Sequence, residues 1–125
     1  MTSEAPHLLV EEDGPVLIAT LNRPEKLNAI TGRMMALYEQ ALHRFRDTAE
    51  LRVMLIRATG RYFCAGSDLR DGTGTPTRTA SAIRENHRLN LNGMHRIYDE
   101  MEHIEKPIVV AHHAMCVGGG LELSL

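Results

Sequence analysis

The chain has 125 residues, enough for one domain or part of one, and its 43% hydrophobic and 24% charged residues are ordinary for a globular protein. A formal charge of −2 supplies no basic field for nucleic acid or an anionic membrane surface, so neither is an expected partner. No apolar run approaches a bilayer span, and Met1 to Pro6 lacks the apolar core of a secretory leader, so the cytoplasm is the expected compartment.

Leu8 to Glu12 and Val16 to Leu21 are short apolar runs split by Asp13-Gly14, which predicts a β-hairpin. After Asn22-Arg23-Pro24, Met34, Leu37, Ala41, Leu42 and Phe45 recur at three- and four-residue spacing. Glu39, Gln40, Arg44 and Arg46 fall on the opposite face, so the segment predicts an amphipathic helix, with Thr31 as its cap. Val53-Met54-Leu55-Ile56 is a continuous apolar run and predicts a strand buried on both faces. Residues 71–79 are rich in Gly, Thr and Pro and read as a loop. A second amphipathic helix is expected from about Ser81 to Ile104, with Leu91, Met94, Ile97, Met101 and Ile104 as its stripe and Pro107 beyond its end. Ile108 to Ala111 predicts another buried strand, and Gly118-Gly119-Gly120 leads into a helix start at Leu121. The alternation predicts an α/β fold with a mixed or parallel sheet and crossover helices. Cys64 and Cys116 sit in apolar or glycine-rich surroundings and read as reduced, buried thiols.

Two segments carry chemistry. In Cys64-Ala65-Gly66-Ser67-Asp68 a strand runs into a turn of small residues, where a ligand can approach the backbone closely. A backbone N–H at such a turn can donate to a developing oxyanion, and Asp68 can brace the local amides. Alone, such a segment is more often a structural turn than a site. It also lacks the Gly-Lys-Ser/Thr ending of a phosphate loop.

The second segment is Gly118-Gly119-Gly120-Leu121-Glu122. Glycines at the start of a helix leave unpaired N–H groups accessible, and the helix dipole favours negative charge there. Glu122 follows Gly119 by less than one helical turn, so its carboxylate can face the same pocket as that amide. A carboxylate beside an oxyanion donor suits proton transfer next to a carbonyl. Alone, this segment too is more often a glycine-rich connection with an exposed glutamate.

Three stretches in order resemble the enoyl-CoA hydratase/isomerase (crotonase) superfamily: Asn22-Arg23-Pro24-Glu25-Lys26-Leu27-Asn28-Ala29; Phe63-Cys64-Ala65-Gly66-Ser67-Asp68-Leu69; and Lys106-Pro107-Ile108-Val109 continuing to Gly118-Gly119-Gly120-Leu121-Glu122-Leu123. The resemblance implies an α/β crotonase (ClpP-like) spiral of ββα units, incomplete at the C-terminus, with residues 1–125 as the N-terminal part of one domain. It implies an acyl-CoA thioester substrate, with coenzyme A arriving as part of that substrate and no separate cofactor or metal. It implies an oxyanion hole from the backbone N–H groups of Ser67 and Gly119, which would hold the thioester oxygen as it becomes an enolate. Glu122 matches one of the two catalytic glutamates of the hydratases. Lys26, Leu27, Cys64, Ala65 and Gly66 match the pocket for the CoA nucleotide and pantetheine, with Asp68, Leu69 and Gly118 among the substrate-binding positions. Lys26 reads either as a phosphate contact or as a solvated surface lysine, and Asn28 as a residue that fixes its turn.

The expected reaction is water addition to a 2-enoyl-CoA. The alternatives are double-bond isomerisation or another reaction of the superfamily, or a CoA-ester-binding fragment without catalysis. The resemblance also implies a homo-oligomer, trimer or hexamer, and a second glutamate on a segment beyond Leu125. A fragment of a longer enzyme, completion by another chain and a truncated gene product stay open. His112-His113-Ala114-Met115-Cys116 departs from the superfamily's usual Asn-Gly-aromatic-Ala pattern. If the paired histidines lie on a strand they point to opposite faces, which argues against one shared metal ion. Residues 71–79, following the first oxyanion segment, would border the acyl pocket and tune chain specificity.

Overall fold

The computed structural model describes residues 5–66 and 94–125. Ser67, Asp68, Leu69, the 71–79 loop, Leu91 and the expected beginning of the second helix lie outside them.

Strands β1 (Leu8–Asp13) and β2 (Val16–Leu21) form the expected hairpin, in register from Leu8↔Leu21 to Asp13↔Val16. Gly14 takes φ 59 at the turn, a left-handed conformation that glycine adopts without a Cβ clash. A one-turn 3-10 segment, Pro24–Lys26, follows and ends on two successive residues with positive φ, Leu27 and Asn28. Helix α1 spans Gly32–Asp47, and Thr31 caps it as expected: its Oγ1 accepts from the Met34 N–H at 3.0 Å. Strand β3 (Val53–Ala58) then pairs parallel to β2, so α1 is the crossover between them. Strand β4 is Tyr62–Cys64, helix α2 includes residues 94–103, and strands β5 and β6 are Ile108–Val110 and Met115–Cys116. The last element is helix α3, Gly119–Ser124. The sheet order is β1-β2-β3-β5, with β4 and β6 paired parallel in a separate two-stranded sheet.

The core lies between α1 and the main sheet. Met34, Tyr38, Leu42 and Phe45 from α1 meet Leu17, Leu21, Met54 and Ile56 from β2 and β3, all nearly inaccessible to water. Leu37, named for the apolar face, is only half-buried, whereas Met35 and Tyr38 complete it. Helix α2 packs across α1 through Ile97 and through the Tyr38 hydroxyl, which donates to Met101 Sδ at 3.1 Å. At the rim, Glu100 meets both His43 and Arg46, and Arg96 meets Glu39. Lys106 fastens the C-terminal end of α1 by donating to Phe45 O at 2.7 Å and Thr48 O at 2.8 Å.

Two strands differ from their sequence expectation. In β3, Met54 and Ile56 are buried, but Val53 and Leu55 are half-exposed. In β5, Val109 is 49% exposed. The runs are apolar enough for two covered faces, yet among the described residues a helix layer covers only one. Helix α2 ends at residue 103, before the expected Ile104.

Candidate active site

The parallel pairing of β4 with β6 brings the two sequence segments together. Tyr62 pairs with Met115 and Cys64 with Cys116. Parallel strands release their C-terminal ends at the same edge, where ligands of α/β proteins bind. Residues 65–66 and 117–119 therefore emerge side by side, joined by the Val117 N–H donating to Cys64 O at 3.1 Å.

Gly66 and the Gly118–Gly119 step are in close contact. A Cβ placed on Gly66 would sit 3.7 Å from the Gly119 nitrogen and 3.5 Å from Val117 O. Gly66 has φ 98 and Gly118 φ 56, so both turns use backbone geometry that other residues rarely adopt. Gly120 is tighter still: a Cβ there would fall 2.4 Å from Cys64 Cβ. Gly118 O accepts from the N–H groups of Leu121 and Glu122, and Gly120 N–H donates to Val117 O. The Gly119 N–H has no acceptor among the described residues.

A clasp holds the first segment in place. Ala65 N–H donates to Leu27 O at 3.0 Å, and Ile30 N–H donates to Gly66 O at 2.7 Å. Asn28 is fully buried beneath this clasp. Its Oδ1 accepts from Arg23 N–H at 2.7 Å, and its Nδ2 donates to Thr59 O at 2.6 Å and Tyr62 O at 2.9 Å. Asn28 therefore fixes the turn, as expected. The Cys64 thiol donates to Asn28 O at 3.1 Å. Burial pushes its pKa up, so it is a packed neutral thiol. Cys116 is also a free thiol and its pKa is also raised by burial. Lys26 is exposed at the outer end of the clasp, and Leu27 is half-buried.

Glu122 is exposed on α3 and lines a cavity of about 260 Å³ with Tyr98, Met101, Glu102, Lys106, Ile108, Val110 and the end of α3. Tyr98 went unnoticed in the sequence, although its spacing from Met94 and Met101 puts it on the α2 apolar stripe. Burial, and then the charge of Glu122, pushes its phenol up to about 12.

His112 and His113 lie between β5 and β6, not on a strand. His112 meets Ser124 Oγ at 2.7 Å and stacks near Phe63, with ring centroids 4.5 Å apart, while His113 meets Gly60 O at 2.7 Å. Each ring thus has its own partner: His112 reaches helix α3 and His113 the turn after β3.

Solved structures of enoyl-CoA hydratases and isomerases that this chain matches show that it has the crotonase fold. A model of the enoyl-CoA hydratase/isomerase family matches residues 16–125, and the chain belongs to that family. It is 32% identical over 120 residues to enoyl-CoA hydratase EchA19 of Mycobacterium tuberculosis, covering 94% of this chain and 43% of the relative. It is likewise 32% identical over 119 residues to 4-chlorobenzoyl coenzyme A dehalogenase-1 of an Arthrobacter species, covering 95% and 42%. The crystal structure of an enoyl-CoA hydratase/isomerase from Marinobacter aquaeolei superposes with a TM-score of 0.81 at 27% identity, covering 95% of this chain and 46% of that one. The chain thus spans less than half the length of these relatives. Among the described residues, no helix is long and apolar enough to cross a membrane.

Proposed function

We propose that this chain forms the thioester-binding half of an acyl-CoA enzyme that adds water to a 2-enoyl-CoA. The substrate carbonyl oxygen sits between the backbone N–H groups of Ser67 and Gly119. As water adds at the β-carbon, charge moves onto that oxygen, and the two amides stabilise the enolate. One such donor lowers a barrier by about 3 kcal/mol. Glu122 holds the attacking water or moves its proton, and coenzyme A is the handle of the substrate rather than a separate cofactor.

The observation that supports this reading is the contact between Gly66 and the Gly118–Gly119 step, with the Gly119 N–H left without an acceptor among the described residues. Ser67, the other proposed donor, is the next residue in the chain after Gly66. Glu122 follows within the same helix, at the cavity wall.

Hydration of crotonyl-CoA by the complete protein, compared with its Glu122→Gln variant, tests the reading. The variant is expected to lose roughly 10²- to 10⁴-fold in kcat while still binding the CoA ester. Equal turnover in the two proteins removes Glu122 from the chemistry. Product analysis separates hydration from a double-bond shift, because only hydration forms a 3-hydroxyacyl-CoA.

A further inference from the structure

Cys64 and Cys116 are partners across the β4–β6 ladder. An irregularity between Tyr62 and Cys64 advances β4 by one residue and sets Cys64 opposite Cys116 rather than Val117. Paired residues on neighbouring strands lie about 4.8 Å apart, within the roughly 4.4–6.8 Å that separates the Cα atoms of disulfide-bonded cysteines. The two side chains also converge. A Cβ built on Gly120 would meet Cys64 Sγ at 2.7 Å and Cys116 Sγ at 3.3 Å, so both sulfurs border one point. Because residue 120 is glycine, no side chain wedges them apart. Both are free thiols in this structure, and they are the two cysteines of the sequence. Cys64 is inaccessible to water and Cys116 is half-buried, so an oxidant in solution meets Cys116 first.

We propose that Cys64 and Cys116 form a reversible disulfide, made by a hydroperoxide and broken by thiols, that ties β4 to β6 just before the two glycine turns. The Cys116 sulfur, as its thiolate, attacks one peroxide oxygen. The O–O bond breaks, a sulfenic acid forms, and the hydroxide that leaves takes up the proton the thiol released. The Cys64 sulfur then attacks the Cys116 sulfur. The S–S bond forms, the S–O bond breaks, and the Cys64 proton leaves with that oxygen as water. Two thiols are oxidised and one peroxide is reduced to two waters. Burial raises both thiol pKa values, so the pair oxidises slowly and stays reduced without such an oxidant.

Each cysteine stands two residues before the positive-φ glycine of its own turn, Gly66 or Gly118. In the reduced form Cys64 Sγ donates to Asn28 O at 3.1 Å and accepts from Gly66 N–H at 3.5 Å. The disulfide removes that proton and draws the sulfur toward β6, so the Gly66 turn loses part of its footing. The effect on turnover rests on the proposed function; the bond itself does not.

The complete protein is treated with hydrogen peroxide, its remaining thiols are blocked with iodoacetamide, and it is digested without reductant for peptide mass mapping. Expected is a linked pair of peptides carrying Cys64 and Cys116, two hydrogens lighter than the free peptides together and absent after dithiothreitol. Hydration of crotonyl-CoA is expected to fall roughly tenfold or more on oxidation and to recover with dithiothreitol. Cys116→Ser should keep the untreated rate and show no loss that dithiothreitol reverses. Both cysteines blocked by iodoacetamide after peroxide, Cys116 joined to a second copy of the chain, or Cys116 carried on to the sulfinic acid without a link overturns the disulfide. A linked pair with unchanged turnover overturns its control of activity. If the reduced protein does not hydrate crotonyl-CoA at all, the proposed function fails, and the linked peptides alone decide the bond.

Discussion

Gly120 and Cys64 touch so closely that no methyl group fits between them: a Cβ on Gly120 would lie 2.4 Å from Cys64 Cβ and 2.7 Å from its Sγ. The same atom would meet Cys116 Sγ at 3.3 Å, so it has no direction of retreat. This contact seats α3 on β4 and thereby sets the height of the Gly119 N–H. Gly120→Ala is expected to cost about 1–3 kcal/mol by overpacking, read as a lower urea midpoint with an unchanged slope. An unchanged midpoint would mean that α3 does not rest on Cys64.

The Asn28 side chain adds to a turn that backbone bonds already close, among them Asn28 N–H to Arg23 O at 2.8 Å. Replacement by alanine removes the side-chain bonds to Arg23 N–H, Thr59 O and Tyr62 O. The expected loss is on the order of 2–4 kcal/mol by denaturant unfolding. Asn28→Asp keeps the acceptor but sets a carboxylate against two carbonyl oxygens. It should recover only part of the stability at neutral pH, and more under acid, where the protonated carboxyl can donate.

Lys26 stands exposed at the end of the 3-10 turn, and a phosphate of the CoA nucleotide is its proposed partner. Lys26→Ala should raise KM for a CoA ester about three- to tenfold and leave kcat nearly unchanged. An exposed contact of this kind is worth on the order of 1 kcal/mol and weakens with salt. A KM that ignores both the substitution and the ionic strength assigns the lysine to solvent.

Alkali is expected to unfold the protein early. Cys64, Cys116, Tyr38 and Tyr98 all hold their protons more tightly folded than unfolded, chiefly because burial disfavours the charged form. Their contribution to stability is complete below the ordinary thiol and phenol values of 9.0 and 10.0, and is lost as pH rises past them. Melting temperatures should therefore hold near neutrality and fall steadily above about pH 9. Tyr38→Phe, which removes the most deeply buried of these groups, should make that fall shallower. Equal slopes for the two proteins would argue against Tyr38.

Local features of this fold were legible in the sequence. The Asp13-Gly14 turn and the Thr31 cap depend on residues within a few positions, so their side chains announce them. The two glycine-rich segments were legible as well, but not their contact, which depends on β4 lying parallel to β6. Exposure in β3 and β5 was misread because an apolar run does not state how many layers cover it. The reach of Asn28 to Thr59 and Tyr62 and the isolation of the Tyr98 hydroxyl are long-range facts, and neighbouring letters carry no trace of them.

The clasp from Leu27 to Ala65 and from Ile30 to Gly66 links an outer lysine to an inner amide through only a few rigid peptides. Under the proposed function, a substrate held by its nucleotide at Lys26 would have its carbonyl placed by that remote grip, whereas a clipped thioester lacking the handle would have to find the seat unaided. Such a shortened analogue should react slowly even at saturation, because what it lacks is leverage.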